Sequence, residues 1–359
     1  MTEIIEPKIA IQLVNSLPSG PAGSTSFVAP LNPPPPPPGT WAALTRGLNS
    51  GEAAIDLRGV ATDGTNWVAV GRNGRAARST DAGATWAALP QGLNSGLVTA
   101  NFIAVAAGPD GVFVATGDAG YSARSADGGA TWAAATRGLG SPGGTGTNFN
   151  DLTTDGAGSF IACAGGSDVG YSTDNGVTWQ AGGTIGGGGS GVSYRGVSPI
   201  SASNFIMVAE NGLVGLSSDD GATFGSFLPP QGLNTGNTNN DFHKAAVVGQ
   251  IIVIQSAGIL TTGSTDGGST WTRGPDAFNS GNPGSQNSGS VVSDTQNVMV
   301  SVQENGWAAV TANQGTLWTA LPRGLNSGNT AADWNAVATD NRGNWVAVAD
   351  SGYAARGTE

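Results

Sequence analysis

This sequence of 359 residues contains one cysteine and one histidine, and only 11% of its residues are charged. Cys163 cannot form an intrachain disulfide and His243 alone cannot build a histidine-rich metal site, so we expect no metal and no cofactor. The net charge is −11, and the only lysines are Lys8 and Lys244. Because binding to phosphate backbones or anionic lipids requires clustered positive charge, we expect neither nucleic acid nor a membrane surface as a partner.

Long apolar runs are also missing. No segment approaches the ~18–20 apolar residues that a membrane-spanning helix needs. Residues 1–7 lack the basic region and the apolar core of a signal peptide. We therefore expect no membrane insertion and no export through an N-terminal signal.

Glycine is abundant instead, with 59 residues, and an eight-residue pattern recurs between the glycine-rich turns. The pattern reads S-x-D-x-G-x-T-W, with Phe once in place of Trp. Its aspartates are Asp81, Asp127, Asp174, Asp219 and Asp266. A degenerate sixth copy spans residues 311–318. The closing aromatic residues are spaced by 45–47 residues, which is the length of one four-stranded propeller blade. In the first repeat, turn signals divide the chain into strands at residues 57–62, 67–71, 75–79 and 86–89.

The two ends of the chain supply a seventh copy in two halves. Residues 353–359 align with residues 75–81, and Trp41 lies 45 residues before Trp86, in register. The sequence therefore predicts an all-β fold: a seven-bladed β-propeller of four-stranded blades over residues 39–359. A strand at residues 41–45 would join three C-terminal strands and close the ring without a loose edge. Residues 1–38 would form an extended, proline-rich arm.

The S-x-D-x-G-x-T-W pattern resembles the Asp box, or BNR repeat. That repeat occurs in sialidases, sortilin-type receptors, large xyloglucanases and a photosystem II assembly factor with a seven-bladed propeller. The resemblance covers residues 39–359 and implies the fold, but these families share a turn and not a chemistry. We expect the box aspartates to be structural, since a carboxylate such as Asp81 accepts backbone N–H groups across a tight turn. A calcium loop would need further carboxylates that the pattern lacks.

Catalytic residues of those families are not evident in the sequence. Three of the four tyrosines, Tyr121, Tyr171 and Tyr353, occupy one position of the repeat, which indicates a structural role and not that of a sialidase nucleophile. A xyloglucanase-like hydrolase would hold two aspartates across a cleft between two propellers, and this chain builds one. His243 lies in the polar stretch of residues 239–244 and has no serine partner in a recognisable motif. We therefore predict a protein that is not an enzyme.

A second repeated element, Gly-Leu-Asn-Ser-Gly or a variant, follows several outer strands. It links one blade to the next, which should place it on the face opposite the Asp boxes. Its polar side chains are candidates for binding a ligand such as a glycan: Asn49, Ser50, Asn94, Ser95, Asn234, Asn279 and Asn326. In the alternative interpretation, the leucines fill the seam between blades and Asn-Ser-Gly only turns the chain.

Two further features bear on partners. Arg78, Arg124 and Arg356 share one position on three adjacent blades. These arginines could form a patch that binds a partner, or a row that is exposed to solvent or paired with aspartates. In the arm, a β-prone run contains the candidate docking residues Ile9, Ile11, Leu13 and Val14, and residues 33–38 are six prolines. Such a run on a stiff tether favours docking to a larger assembly by strand addition, the alternative being a disordered leader.

These features favour a structural or binding component of a virus particle, such as a phage fibre, tail or capsid-surface protein. The arm would contact other virion proteins, and the propeller would display a head that binds a host-surface glycan or receptor. An intracellular assembly or scaffold factor in the cytoplasm is the second hypothesis, and a glycoside hydrolase is the third.

Overall fold

The computed structural model describes residues 39–142, 144–185, 191–227, 241–256, 261–274, 289–295, 298–312, 315 and 317–358. The arm and its four docking residues lie outside this part of the chain. Within the described residues, the regular structure consists of β-strands and short 3₁₀ turns. No helix in this part has the length and apolar character to cross a membrane.

The described strands form seven four-stranded antiparallel sheets, the blades. Strand β1 is Thr40–Ala43. Blades 1 to 3 consist of β2 Leu57–Thr62, β3 Trp67–Gly71, β4 Ala76–Ser79, β5 Ala87–Ala88; β6 Phe102–Ala107, β7 Phe113–Gly117, β8 Ser122–Ser125, β9 Ala133–Ala134; and β10 Phe149–Thr154, β11 Phe160–Ala164, β12 Val169–Ser172, β13 Gln180–Ala181. Blades 4 to 7 consist of β14 Tyr194–Ser201, β15 Asn204–Ala209, β16 Val214–Ser217, β17 Gly225–Phe227; β18 Phe242–Val248, β19 Ile251–Ser256, β20 Thr261–Ser264, β21 Thr272–Arg273; β22 Ser290–Ser293, β23 Met299–Val302, β24 Ala308–Thr311, β25 Thr319–Ala320; and β26 Trp334–Thr339, β27 Asn344–Ala349, β28 Ala354–Thr358 with β1.

The ring closes through β1, which pairs with β28 as the outer strand of blade 7. Trp41 lies opposite Gly357, and two further backbone bonds extend the pairing, from Gly39 N to Thr358 O (2.9 Å) and from Leu44 N to Ala354 O (3.0 Å). The predicted seven blades and their closure by the two ends are confirmed. The strand at the seam begins one residue earlier and ends two residues earlier than residues 41–45, and the outer strand of blade 1 has two residues where four were expected.

Apolar side chains are buried between neighbouring blades, in clusters that each join one blade to the next. One cluster joins blades 7 and 1 through Leu57, Trp67 and Val346, all fully buried. Another joins blades 6 and 7 and contains Trp41, which is 5% exposed. Since each sheet has two sides and each side faces a neighbour, a blade is stable only when both neighbours are present.

The turns lie on two faces, which we name by what they carry. The Asp-box face carries the turns between the third and fourth strands. The linker face carries the connections between blades and the turns between the second and third strands. Its 3₁₀ turns are Arg46–Asn49, Arg72–Gly74, Gln91–Asn94, Asp118–Gly120, Arg137–Gly140, Gly144–Gly146, Gly165–Ser167, Glu210–Gly212, Glu304–Gly306, Arg323–Asn326 and Asp350–Gly352, and Pro109–Gly111 lies on the Asp-box face.

Candidate functional site: the linker-face mouth of the central channel

The first strands of the seven blades surround a central channel with a volume of about 640 Å³. This volume lies within the usual range for small-ligand sites. Its described lining carries three cationic side chains, Arg58, Arg195 and Lys244, and one carboxylate, Asp151. Each of the three cations has a carboxylate within 4 Å, so the charges of the lining are balanced by their neighbours.

A β-bulge near the start of six of these first strands sets the linker-face mouth of the channel. In β2, Leu57 pairs with Gly71 and Gly59 pairs with Val70, so Arg58 is the extra residue. A bulge redirects one side chain relative to the regular alternation along the strand. The extra residues are Arg58, Ile103, Asn150, Arg195, His243 and Asn335, and all six line the channel.

Arg58 sits between blades 1 and 7 and is held by long contacts. Its guanidinium lies 3.5 Å from the Asp56 carboxylate, 3.6 Å from the Asp350 carboxylate and 3.4 Å from Asn335 Oδ1. Asn335 is itself fixed, because its amide donates to Leu57 O at 2.8 Å and to Asp350 Oδ1 at 2.7 Å. Asn335 thus positions Arg58 at the mouth.

Across the channel, Arg195 forms an ion pair with Glu210 in the same blade. His243, from the next blade, lies partly buried near this pair. Burial, together with the positive charge of Arg195, lowers the pKa of His243 from 6.5 to about 4, and the negative charges of Asp241 and Glu210 oppose this shift. The imidazole is therefore neutral at pH 7. The structure places His243 on β18, a strand that lines the channel.

Lys244 and Asp151 form an ion pair inside the channel wall, with Nζ 2.5 Å from the carboxylate. Asp151 is 6% exposed, and its Oδ2 also accepts the backbone N–H of Val197 at 2.9 Å. The three residues come from blades 3, 4 and 5. This pair consequently ties three blades together and leaves the carboxylate fully occupied.

The Asp boxes lie on the other face and have internal partners. Asp81 accepts hydrogen bonds from Ser79 Oγ (2.7 Å), Thr85 N (2.8 Å) and Thr85 Oγ1 (2.5 Å). Gly83 has a φ of 77°, and a Cβ there would lie 2.6 Å from Val346 Cγ2. Trp86 Nε1 donates to Gly83 O at 2.9 Å. The same side-chain bonds to the carboxylate recur at Asp127, Asp174, Asp219 and Asp266.

These hydrogen bonds favour the ionised carboxylates. Burial alone would raise the pKa of Asp81, but the bonds from Thr85 and Ser79 outweigh it and the pKa is lowered. At Asp266 the bond from the Thr270 hydroxyl is the main cause, and the pKa falls to about 2. Among the described residues, no group of three His, Cys, Asp or Glu side chains is arranged to hold a metal ion.

The arginine row joins neighbouring blades. Arg78 Nε donates to Gly128 O at 2.6 Å, Arg124 Nε to Asn175 O at 2.7 Å, and Arg356 Nε to Ala82 O at 2.8 Å. Each acceptor belongs to the Asp box of the next blade. The sequence had suggested either a binding patch or a row that is solvated or paired with aspartates. Neither interpretation included these hydrogen bonds to backbone carbonyls of the next blade.

The Gly-Leu-Asn-Ser-Gly segments lie on the linker face and also bridge blades. The amides of Asn49, Asn94 and Asn326 donate to the backbone carbonyls of Trp86, Trp132 and Trp41, respectively, at 2.9–3.0 Å. The leucines that precede them are fully buried and have a φ of 47°. This strained backbone conformation costs about 1–3 kcal/mol, which burial of the leucine side chain offsets.

The remaining candidates of this element are placed as follows. Ser50 and Ser95 are buried, at 2% and 9% exposure. Asn234 and Asn279 lie outside the described residues. The contacts give the three described asparagines a role between blades, and ligand binding by this element stays a prediction.

Sequence reasoning did not find the mouth residues Arg58, Asn150, Arg195 and Asn335. Their signal is positional, because each directly follows the first buried large residue of its blade, Leu57, Phe149, Tyr194 or Trp334. They are two arginines and two asparagines, so no single residue type recurs at this position and a search for a repeated motif passes over them.

Comparison with known proteins supports the fold. The model of the BNR/Asp-box repeat matches residues 171–181. A search of curated proteins gives no significant match. Among solved structures, YCF48 bound to D1 peptide is similar with a TM-score of 0.62 and 13% identity over 89% of this chain and 97% of that chain. YCF48 from Cyanidioschyzon merolae gives 0.64 and 14% over 89% and 98%.

Glycoside hydrolases are also among the similar structures. The GH74 xyloglucanase from Xanthomonas campestris gives a TM-score of 0.59 and 15% identity, over 88% of this chain and 53% of that chain. This chain therefore spans about half the length of that enzyme. At these identities the likeness establishes a seven-bladed, Asp-box type propeller and no activity.

Proposed function

We propose that this protein is a non-enzymatic binding propeller of the assembly or scaffold type, whose partner binds at the linker-face mouth of the central channel. The observation that carries the proposal is the ring of bulged residues at that mouth, where Arg58, Asn150, Arg195, His243 and Asn335 come together from five blades. Bulges that redirect polar side chains are over-represented beside binding sites. The mouth of a channel is also where a concave surface with a few convergent polar groups forms.

The chemistry of the lining agrees with binding rather than hydrolysis. Glycoside hydrolysis generally requires two carboxylates on either side of the bond that breaks. The described lining contains one, Asp151, and both its oxygens are held by Lys244 and Val197. YCF48, similar over nearly its whole length, has been solved with a D1 peptide. A peptide segment of a partner protein is therefore the type of ligand that we propose here.

The arm, residues 1–38, is proposed to attach the propeller to the assembly. Composition and the arm favour a virus particle as that assembly, with a host glycan as a further ligand, and both stay predictions. The test compares the full chain with a variant lacking residues 1–38, each isolated from the native source with the proteins that co-purify. Loss of the assembly from the shortened variant is expected. An unchanged set of co-purifying proteins would contradict the tether.

The binding face is tested by site-specific photo-crosslinking. Asn211 is exposed on a linker-face turn beside the mouth, and Thr65 is exposed on the Asp-box face. A crosslinking amino acid at position 211 should capture the partner, and the same group at position 65 should not. Preferential capture from position 65 would place the partner on the Asp-box face and would contradict binding at the linker-face mouth. Turnover of a glycoside by the purified chain would refute the non-enzymatic proposal.

A further inference from the structure

We propose that an acidic segment of the partner protein binds on the linker face over blades 6, 7, 1 and 2. Its carboxylates pair with three arginines that we name the arginine arc, Arg323, Arg46 and Arg137. The inference rests on the proposed function, since it specifies the chemistry of the partner and a second surface that the partner contacts. The arc lies outside the channel mouth, because the first strands line the channel and the third strands, which lie beside the arc, are two positions farther out.

Each arginine of the arc is held against an aromatic side chain. Its guanidinium lies over the ring of the residue directly before a third strand, within the ~6 Å at which a cation and a ring attract one another. The three pairs are Arg46 over Tyr353 (4.5 Å), Arg137 over Tyr121 (4.2 Å) and Arg323 over Trp307 (4.6 Å). The guanidinium groups also donate to backbone carbonyls of the neighbouring turns, which are Ser351 O, Ala119 O and Asn305 O. The side chains are therefore ordered before a ligand arrives, which lowers the entropy cost of binding.

Blade 1 shows that this bond to the turn does not require a charge. The equivalent residue there is Gln91, whose Nε2 donates to Asn73 O at 2.9 Å. Arg75 occupies the aromatic position of blade 1 and pairs with Glu52 at 3.7 Å. Since a neutral amide makes the same backbone contact, the positive charge of the three arginines exceeds what that contact needs.

The charges of the arc are also accessible and unpaired. All three arginines are exposed. In the part of the chain that the structure describes, no arginine of the arc has a carboxylate within 4 Å, and the cations that do are Arg58, Arg72, Arg75, Arg195 and Lys244. Each arginine of the arc therefore keeps terminal N–H groups that can form a two-point contact with a carboxylate.

The arc runs over four consecutive blades. The segments that carry it join blade 6 to 7, 7 to 1 and 1 to 2 through the asparagine bonds described above. Between the stacks of blades 7 and 2, the linker of blade 1 exposes Leu97 (38%) and Val98 (63%). Arginine and aromatic residues are enriched in protein interfaces, and they carry much of the binding energy there. The arc thus has the composition of a surface that binds protein.

A protein segment fits this surface better than a nucleic acid. The turns beside the arc also carry the carboxylates of Asp118 and Asp350, and the chain has a net charge of −11. A nucleic acid requires dense positive charge to neutralise its phosphates. Carboxylates spaced along a polypeptide can meet about one arginine per blade, and the side chains between them can contact Leu97 and Val98.

Binding is measured on the full-length protein with probes of defined charge. The probes are fluorescein-labelled oligoglutamate, oligoglutamine of the same length and a single-stranded DNA oligonucleotide of the same length. Each is titrated with the protein at low ionic strength, where exposed ion pairs are least screened. Fluorescence anisotropy should rise saturably with oligoglutamate. Oligoglutamine should not bind, and the oligonucleotide should bind more weakly than oligoglutamate.

Glutamine variants reproduce the arrangement of blade 1. Arg46→Gln, Arg137→Gln and Arg323→Gln keep a donor for the turn carbonyl and remove the charge. Each should weaken the oligoglutamate affinity about two- to fivefold, the contribution of one exposed ion pair, and the triple variant about tenfold or more. Arg342→Gln is the matched control, because Arg342 is an exposed arginine on the Asp-box face that donates to Gly64 O at 2.8 Å, and it should leave the affinity unchanged. Thermal unfolding of each variant verifies that the fold is retained.

The inference is overturned if oligoglutamate does not bind saturably, if oligoglutamine binds equally, or if the oligonucleotide binds more tightly than oligoglutamate. It is also overturned if Arg342→Gln weakens binding as much as the arc variants do. Crosslinking from position 211, on blade 4, separates this result from the proposed function. Capture of a partner there without oligoglutamate binding would end the inference and leave the proposed function standing. Oligoglutamate binding that depends on the arc, without capture from position 211, would uphold the arc and count against the proposed function.

Discussion

Removal of residues 1–45 should open the propeller at its seam. The deletion takes away β1, including four paired residues opposite β28 and the indole of Trp41, which is 5% exposed. Truncation of a buried Trp to Ala alone costs about 3–5 kcal/mol. A domain of this kind has a total stability of about 5–15 kcal/mol. The deletion should therefore lower the urea midpoint strongly or prevent folding.

The matched control is a chain lacking residues 1–38 only, which keeps β1 complete. Its urea midpoint, followed by circular dichroism and tryptophan fluorescence, should equal that of the full chain, because β1 begins at Thr40. If the chain lacking residues 1–45 unfolds at the same urea concentration as this control, the assignment of β1 as the closing strand is refuted.

A circular permutant extends the same reasoning in the stabilising direction. Trp41 Nε1 is buried without a partner among the described residues, whereas Trp86 Nε1 donates to Gly83 O at 2.9 Å. Residues 39–45 attached after Glu359 through Ala-Gly would restore a turn of the Asp-box length, with Gly357 and Glu359 in the serine and aspartate positions, and would supply the missing glycine carbonyl. Satisfying a buried donor is worth about 1–3 kcal/mol, so the permutant should unfold at a higher urea concentration than the control lacking residues 1–38. A lower midpoint would show that the seam does not have Asp-box geometry.

Three further predictions concern pH and the contacts between blades. The box aspartates have lower pKa values in the folded chain than in the unfolded chain, as at Asp266. The stability that they contribute is therefore complete above pH 3.8 and should be lost as the pH falls toward 2. Asp266→Asn should reduce the decrease of the unfolding temperature with falling pH over this range. His243 has a pKa of about 4 folded against 6.5 unfolded, so the unfolded chain takes up its proton first and stability should fall by up to about 3 kcal/mol between pH 6.5 and pH 4. His243→Gln should flatten that range of the urea-midpoint profile, and an unchanged profile would contradict the burial of the imidazole. Asn94→Ala should cost about 1–2 kcal/mol in urea unfolding, since it removes the bond to Trp132 O and places alanine at a φ of 54°, while Asn94→Gly should keep the backbone and lose only the bond. Equal midpoints for the two variants would show that the backbone conformation contributes nothing.

Local chemistry determined the fold from the sequence alone. Each Asp box is a turn that closes within eight residues, as the bonds from Ser79 and Thr85 to Asp81 show, so its physics repeats wherever the residues repeat. Counting these turns gives the number of blades, and the split copy at residues 353–359 and 39–41 gives the seam. The box aspartates and the positions of the linker segments followed from the same short-range pattern.

The candidate site was decided by the tertiary structure. Arg58, Asn150, Arg195 and His243 are separated by 45–92 residues from one to the next and are of three different types. They line one channel only because each occupies a bulge of a strand around it. A bulge depends on pairing with the next strand, and the loose contacts of Arg58 depend on ring closure, which brings Asp350 beside Asp56. Long-range geometry of this kind leaves no periodic trace in the chain, so the sequence specified the propeller while the closed ring specified its channel mouth.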